Sequence, residues 1–93
     1  MKKVSLYKPH ETKCGDIFDI RPDTSDEYVI KECYSPMYFT NMNYNKNDIV
    51  LDAGTNIGAY STRVSKLVKK VYGYEPLKEN FELATRNLDK NNI

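Results

Sequence analysis

Two carboxylates and two glycines stand at spacings that could build a ligand site. Asp52 closes the apolar run Ile49-Val50-Leu51, Glu75 closes Val71-Tyr72-Gly73-Tyr74, and Gly54 and Gly58 follow Asp52 in the order Asp-x-Gly-x-x-x-Gly. An acid at the end of each of two neighbouring strands repels a phosphate but suits a cation and ribose hydroxyls. Gly54 at a strand end allows positive φ and close approach of a ligand to the backbone. Gly58, in the first turn of a following helix, allows helix and strand to pack tightly. A dinucleotide fingerprint requires its second glycine two residues after the first, and Asn56 stands at that position. A Walker loop requires Gly-Lys-Ser or Gly-Lys-Thr, and the sequence contains neither.

The elements that position these residues are legible as periods. Ile49-Val50-Leu51 shows no alternation, which predicts a parallel strand covered on both faces. Ile57, Tyr60, Val64, Leu67 or Val68, and Val71 then form the stripe of a helix with one buried face, with Arg63, Lys66 and Lys69 mostly off it. After the second strand, Pro76 suits a first helical turn, where its missing N–H costs nothing. Leu77, Phe81, Ala84 and Leu88 predict the buried face of a second helix. Lys78, Glu82, Arg86 and Lys90 fall on its other side, with Glu82 and Arg86 an i,i+4 pair, and Asn91-Asn92 supplies a stop.

An Asp-x-Gly-x-x-x-Gly turn after a strand, with an acid closing the next strand, resembles class I S-adenosylmethionine-dependent methyltransferases. The fuller wording Val50-Leu-Asp-Ala-Gly-Thr-Asn-Ile-Gly-Ala-Tyr-Ser61, with Tyr74-Glu-Pro76 and Asn80-Phe81, is similar to the FkbM-type branch. The resemblance covers the second half of the chain. It implies an α/β fold: a partial Rossmann-like, doubly wound parallel sheet, the first βαβα of a methyltransferase core, preceded by a short β-hairpin and a helix. Residues 1–47 are then an N-terminal extension and connector, and residues 48–93 the first half of a domain that binds S-adenosylmethionine. The implied activity is methylation of a small-molecule or sugar hydroxyl. By position, the implied cofactor-binding residues are Asp52, Ala53, Gly54, Asn56, Gly58, Glu75, Pro76 and Leu77. Asp52 would favour the methionine ammonium, Glu75 would accept the ribose hydroxyls, Pro76 and Leu77 would flank the adenine, and the backbone around Gly54 would approach the methionine end. No residue presents itself as a catalytic base, and no metal set is evident.

The family core has a seven-stranded sheet, whereas this chain of 93 residues closes at Asn91-Asn92-Ile93, where a third strand is expected. The expectation is therefore a truncated cofactor-binding part, inactive alone, with a second chain or a missing C-terminal segment completing the sheet. Two alternatives stand beside it: a non-enzymatic remnant or interaction module, and a dinucleotide-binding oxidoreductase piece, against which Asn56 argues.

The first half carries less chemistry. Val4-Ser-Leu-Tyr7 and Asp16-Ile-Phe-Asp-Ile-Arg21 are strand candidates that could form a hairpin, its loop holding Pro9, Lys13, Gly15 and the lone His10, which reads as a solvated loop residue. Thr24 or Ser25 can cap a helix whose apolar face runs Val29, Ile30, Cys33, Tyr34 and Met37, ended by Pro36. The resemblance places such a helix just before the first core strand, covering part of the cofactor site. Residues 38–47 are an asparagine-rich connector with room for one short turn. Fourteen basic residues against thirteen acidic ones give a net charge of +1, which offers no reason to expect a nucleic-acid partner, and the eight tyrosines read as ordinary packing residues. Cys14 and Cys33 are too few and too far apart for a zinc site or disulfide framework. With no stretch suited to a signal peptide or a membrane span, the expectation is a cytoplasmic, soluble protein with reduced thiols.

Overall fold

The structure is a computed structural model. It describes residues 6–39 and 43–93, with 38 and 39 described through their backbone alone.

Strand β1 (Lys8–Glu11) pairs antiparallel with β2 (Ile17–Ile20), with Pro9 opposite Asp19 and His10 opposite Phe18. The hairpin thus begins later than Val4–Tyr7. Val4 and Ser5 lie outside the described residues, and Leu6 and Tyr7 precede the strand. Pro9 belongs to β1 rather than to the loop, as an edge strand permits. Asp16 donates its N–H to Thr12 Oγ1 at 3.1 Å, and Thr12 donates its own N–H to Asp16 O at 2.9 Å, which closes the connection between the strands. Phe18 and Ile20 are fully buried.

Helix α1 (Asp26–Cys33) starts at the predicted signal. Thr24 Oγ1 accepts the Asp26 N–H at 3.2 Å, whereas Ser25, at the cap position, makes no side-chain capping bond. Ile30 and Cys33 are buried, with Val29 and Tyr34 packed beside them. Met37 departs from the predicted face and is 84% exposed, because the chain turns after Tyr34 into a short 3₁₀ helix, Pro36–Phe39.

Strand β3 (Ile49–Ala53) lies parallel to β4 (Lys70–Tyr74), with Asp52 opposite Gly73 and Ala53 opposite Tyr74. Between them, α2 (Ala59–Ser65) is shorter than the apolar stripe predicts. Ile57 is buried in the preceding turn, Val68 rather than Leu67 is the buried residue past the helix, and Val71 belongs to β4. Helix α3 (Lys78–Lys90) follows. The expectation that β3 is covered on both faces is corrected. Ile49 and Leu51 are 63% and 65% exposed, and only the alternate residues Val50 and Asp52 are half-buried. Helix α2 packs against β4, and the large apolar residues of the opposite face, Ile49, Leu51, Tyr72 and Tyr74, are exposed.

Of the predicted face, Ala84 is buried and Leu88 half-buried, but Leu77 and Phe81 are both 54% exposed; Leu83 and Asn87 complete the buried side of α3. The physical reason is the outer edge of β2. Asn87 Oδ1 accepts the Asp19 N–H at 2.7 Å while its Nδ2 donates to Asp19 O at 3.2 Å and to Ile57 O at 2.9 Å. One turn later, Asn91 accepts the Ile17 N–H at 2.9 Å and donates to Ile17 O at 2.8 Å. Two side-chain amides thus pair a strand edge as a neighbouring strand would, satisfying backbone groups that burial would otherwise penalise. Satisfying that edge fixes the rotation of α3. The pair Glu82–Arg86 does not form: Lys78 lies 3.9 Å from Glu82, and Arg86 pairs with Asp19, as Lys90 does at 3.4 Å. The helix stops as predicted. Asn92 takes φ 61°, and the Ile93 and Asn92 N–H groups return to Leu88 O and Asp89 O, the two bonds of a Schellman motif.

Phe18, Ile20, Ile30, Cys33, Ile57, Ala59 and Leu83 form one core cluster, so the hairpin, α1 and the βαβα unit share an interior. Polar ties reinforce it: Lys66 pairs with Asp16, and Arg63 donates to Cys33 O at 2.6 Å and Ser35 O at 3.0 Å. Burial and a hydrogen bond to Asp16 raise the Tyr34 phenol above its ordinary pKa. Among the described residues, no helix is long and apolar enough to cross a membrane.

Candidate functional site at the strand ends

In an open parallel sheet, ligands bind beyond the carboxyl ends of the strands. Here that rim is the turn 53–58 together with Glu75. Gly54 takes φ 82° and Asn56 φ 54°, the left-handed region that glycine and asparagine tolerate best. This curl points the Gly54 and Thr55 N–H groups together at Tyr74 O, 2.8 Å from each. The next N–H, of Asn56, donates to Glu75 Oε1 at 2.8 Å, and Leu77 donates its N–H to Glu75 Oε2 at 3.0 Å. Glu75 is therefore held by one backbone donor on each oxygen. A carboxylate has about four acceptor positions, so each oxygen keeps one for a ligand.

Asp52 is held from the helix side. Ser61 Oγ donates to Asp52 Oδ2 at 2.6 Å, while Oδ1 takes no hydrogen bond from the described residues. A side chain at Gly54 would meet nothing within 4 Å, so the backbone there is open to approach. Gly58 also departs from its predicted role. It takes φ 92° at the helix cap, and a Cβ there would lie 3.4 Å from Ala84 O, so the close packing it permits is against α3 rather than a strand. Ala53 ends β3 and is exposed; Pro76 and Leu77 are exposed beside Glu75. Pro76 precedes the helix, whose cap position is Leu77 in extended geometry, instead of occupying its first turn.

All eight expected site residues thus fall at one end of the β3–β4 pair. Thr55, Ser61 and Gly73 belong with them and were not singled out from sequence. Thr55 is buried, donates to Asp52 O at 3.1 Å, and lies where a Cβ on Gly73 would come within 2.5 Å of its Oγ1. The signal for Ser61 was its place nine residues after Asp52, in the first turn of the helix that leaves the site. Nothing local marks the Thr55–Gly73 contact, which joins the turn after β3 to β4.

The same bonds bear on ligand class. The N–H groups of Gly54, Thr55 and Asn56 are spent on Tyr74 and Glu75, and that of Gly58 donates to Thr55 O at 3.0 Å. A phosphate cradle needs such donors free, and this turn offers acceptors instead. His10 lies in β1, not in a loop, with Nδ1 4.0 Å from Glu27 Oε1. Two cavities lie elsewhere, one of about 620 Å³ between the hairpin connection and α1, the other of about 480 Å³ beside Lys66, Lys69 and Asn91. Neither touches Asp52 or Glu75. Among the described residues no group of three or more His, Cys, Asp or Glu could hold a metal ion.

No family model matches this chain. Over 65 residues, 70% of its length, it is 35% identical to a protein of Nanoarchaeum equitans (strain Kin4-M) named an uncharacterized RNA methyltransferase. The chain spans about 13% of the length of that relative. Over most of its own residues, the chain is similar to a methyltransferase.

Proposed function

We propose that this chain is the S-adenosylmethionine-binding part of a methyltransferase of FkbM-like type. The observation that carries the reading is the donor and acceptor chemistry of the rim. Glu75 presents two fixed acceptor positions, suited to a pair of ribose hydroxyls, and Asp52 presents a free oxygen suited to an ammonium. The N–H groups of Gly54, Thr55, Asn56 and Gly58 between them are occupied, which disfavours a pyrophosphate. S-adenosylmethionine, when bound, supplies a methyl group activated by its sulfonium. The residues of this chain bind and orient: a charged hydrogen bond from a hydroxyl to Glu75 is worth about 1.5–3 kcal/mol, and alignment of donor with acceptor provides much of the rate in such transfers. No residue here is assigned as a base, so the chain acts as the binding half of a longer or two-chain enzyme.

The acceptor favoured by the FkbM-like resemblance and by the net charge of +1 is a small-molecule or sugar hydroxyl rather than a nucleic acid. A second reading, RNA, is favoured by the name of the relative. Calorimetry of the chain with S-adenosylhomocysteine and with NAD tests the cofactor: binding of the first and not the second is expected, and a folded sample that binds neither sinks the proposal. Fluorescence anisotropy with a labelled single-stranded RNA at physiological salt separates the acceptors, since measurable binding would favour the RNA reading.

A further inference from the structure

We infer that Ser61 is a positioning residue for the ligand site: through Asp52 it makes the chain select adenosyl ligands that carry an ammonium-bearing amino-acid arm. This rests on the reading of Asp52 as the ammonium partner. Ser61 is the third residue of α2 and is 2% exposed, and its Oγ donates to Asp52 Oδ2 at 2.6 Å. An O–H···O⁻ bond of that length is charge-assisted. A serine inside a helix ordinarily gives its proton to solvent or to the carbonyl four residues back. Burial removes solvent as a partner here, and the carbonyl four residues back, Ile57 O, already accepts Asn87 Nδ2 at 2.9 Å. The hydroxyl is thereby left for Asp52.

Asp52 is then fixed at both ends. Thr55 Oγ1 donates to its backbone carbonyl at 3.1 Å, and Ser61 holds its carboxylate. A carboxylate otherwise turns readily about its last bond, because that torsion is broad. With Oδ2 committed, Oδ1 keeps one direction, and among the described residues no ion pair reaches Asp52. The cation on the same helix, Arg63, donates to Cys33 O and Ser35 O. A serine hydroxyl has a single proton, and this one is given to Asp52, so Ser61 acts on a ligand through Asp52. Glu75, just past β4, is held by backbone N–H groups instead. Ser61 therefore bears on the amino-acid arm and not on the ribose.

Calorimetry of the whole chain with two probes tests this: S-adenosylhomocysteine, and 5′-methylthioadenosine, which keeps the adenosine and the thioether but lacks the ammonium-bearing arm. The unmodified chain should bind the first at least about tenfold more tightly. Ser61→Ala should erase most of that preference by weakening the first ligand, with the second changed less than about twofold. In an Asp52→Asn background the same substitution should alter neither ligand, because the two residues act as one. Far-UV circular dichroism checks the fold, and Ser61→Cys, similar in shape but a weak donor, replaces an alanine variant that fails it. Equal loss for both ligands would mean a merely structural serine and overturn the inference. So would an unchanged ratio, no preference in the unmodified chain, or additive effects in the two backgrounds. If both probes bind and only the preference is missing, the cofactor reading stands and this inference falls; a chain that binds neither removes both.

Discussion

Glu75 serves both the turn and the proposed ligand, which shapes any test of it. Alanine there would release the Asn56 and Leu77 N–H groups together, and lost binding could then reflect a collapsed turn. Glu75→Gln keeps the shape and one acceptor, so it releases only one of those two N–H groups. The prediction is a loss of S-adenosylhomocysteine affinity of at least about tenfold, roughly 1.4 kcal/mol, with a smaller drop in the urea midpoint than alanine gives; unchanged affinity would remove Glu75 from the ribose site. Asp26 permits a prediction about pH. Burial would raise its carboxyl, but the bidentate Arg21 guanidinium, at 2.9 Å on each oxygen, and the Arg21 N–H outweigh that and hold it below the usual range, while the same pairing raises Arg21. A depressed folded value means that the unfolded chain takes the proton first as pH falls. The stabilisation is therefore complete above roughly pH 4 and fades as pH drops through the carboxylate range. Urea titrations of the chain and of Asp26→Asn should differ most near neutrality and converge in acid. A gap that does not change with pH would show that the pair does not act through this titration.

At the scale of elements, two contacts decide how strands and helices meet. Gly73 is the only β4 residue small enough to lie against Thr55, since a Cβ there would stand 2.5 Å from Thr55 Oγ1. Gly73→Ala should cost about 1–3 kcal/mol through overpacking, and less in a Thr55→Ala background. Additive effects in that double-mutant cycle would refute direct contact. Asn87 fastens α3 to β2 and to the turn before α2. Asn87→Ala strips partners from the Asp19 N–H and from the Asp19 and Ile57 carbonyls. The expected destabilisation is about 2–4 kcal/mol, read from urea denaturation. A value below that would mean water takes over the strand edge easily.

For the molecule as a whole, the shared core predicts a single unfolding event. Phe18 and Ile20 from the hairpin, Ile30 from α1, and Ile57 and Leu83 from the βαβα unit lie in one cluster. Ion pairs from Asp16 and Asp19 to Lys66, Arg86 and Lys90 cross the same boundary. Far-UV dichroism, which follows the helices, and near-UV tyrosine dichroism should therefore give coincident urea transitions. A hairpin that melts first would show that Asn87 and Asn91 hold it only weakly.

The motif spacing alone determined the βαβα order, the placing of Asp52, Gly54, Asn56 and Glu75 at one strand end, and the asparagine stop of α3, because a strand run, a left-handed turn and a helix cap are set by residues close in sequence. Which side of α3 is buried was decided elsewhere. Its apolar period pointed to Leu77, Phe81, Ala84 and Leu88; Ala84 is buried, but Leu77 and Phe81 are exposed, and the edge of β2, some seventy residues away, took Asn87 and Asn91. The Thr55–Gly73 fit and the occupation of the turn amides by Tyr74 and Glu75 likewise arise only when β3 and β4 lie side by side. Local chemistry could specify which groups are offered. Only packing across the chain could specify which of them are already satisfied and which remain free for a ligand.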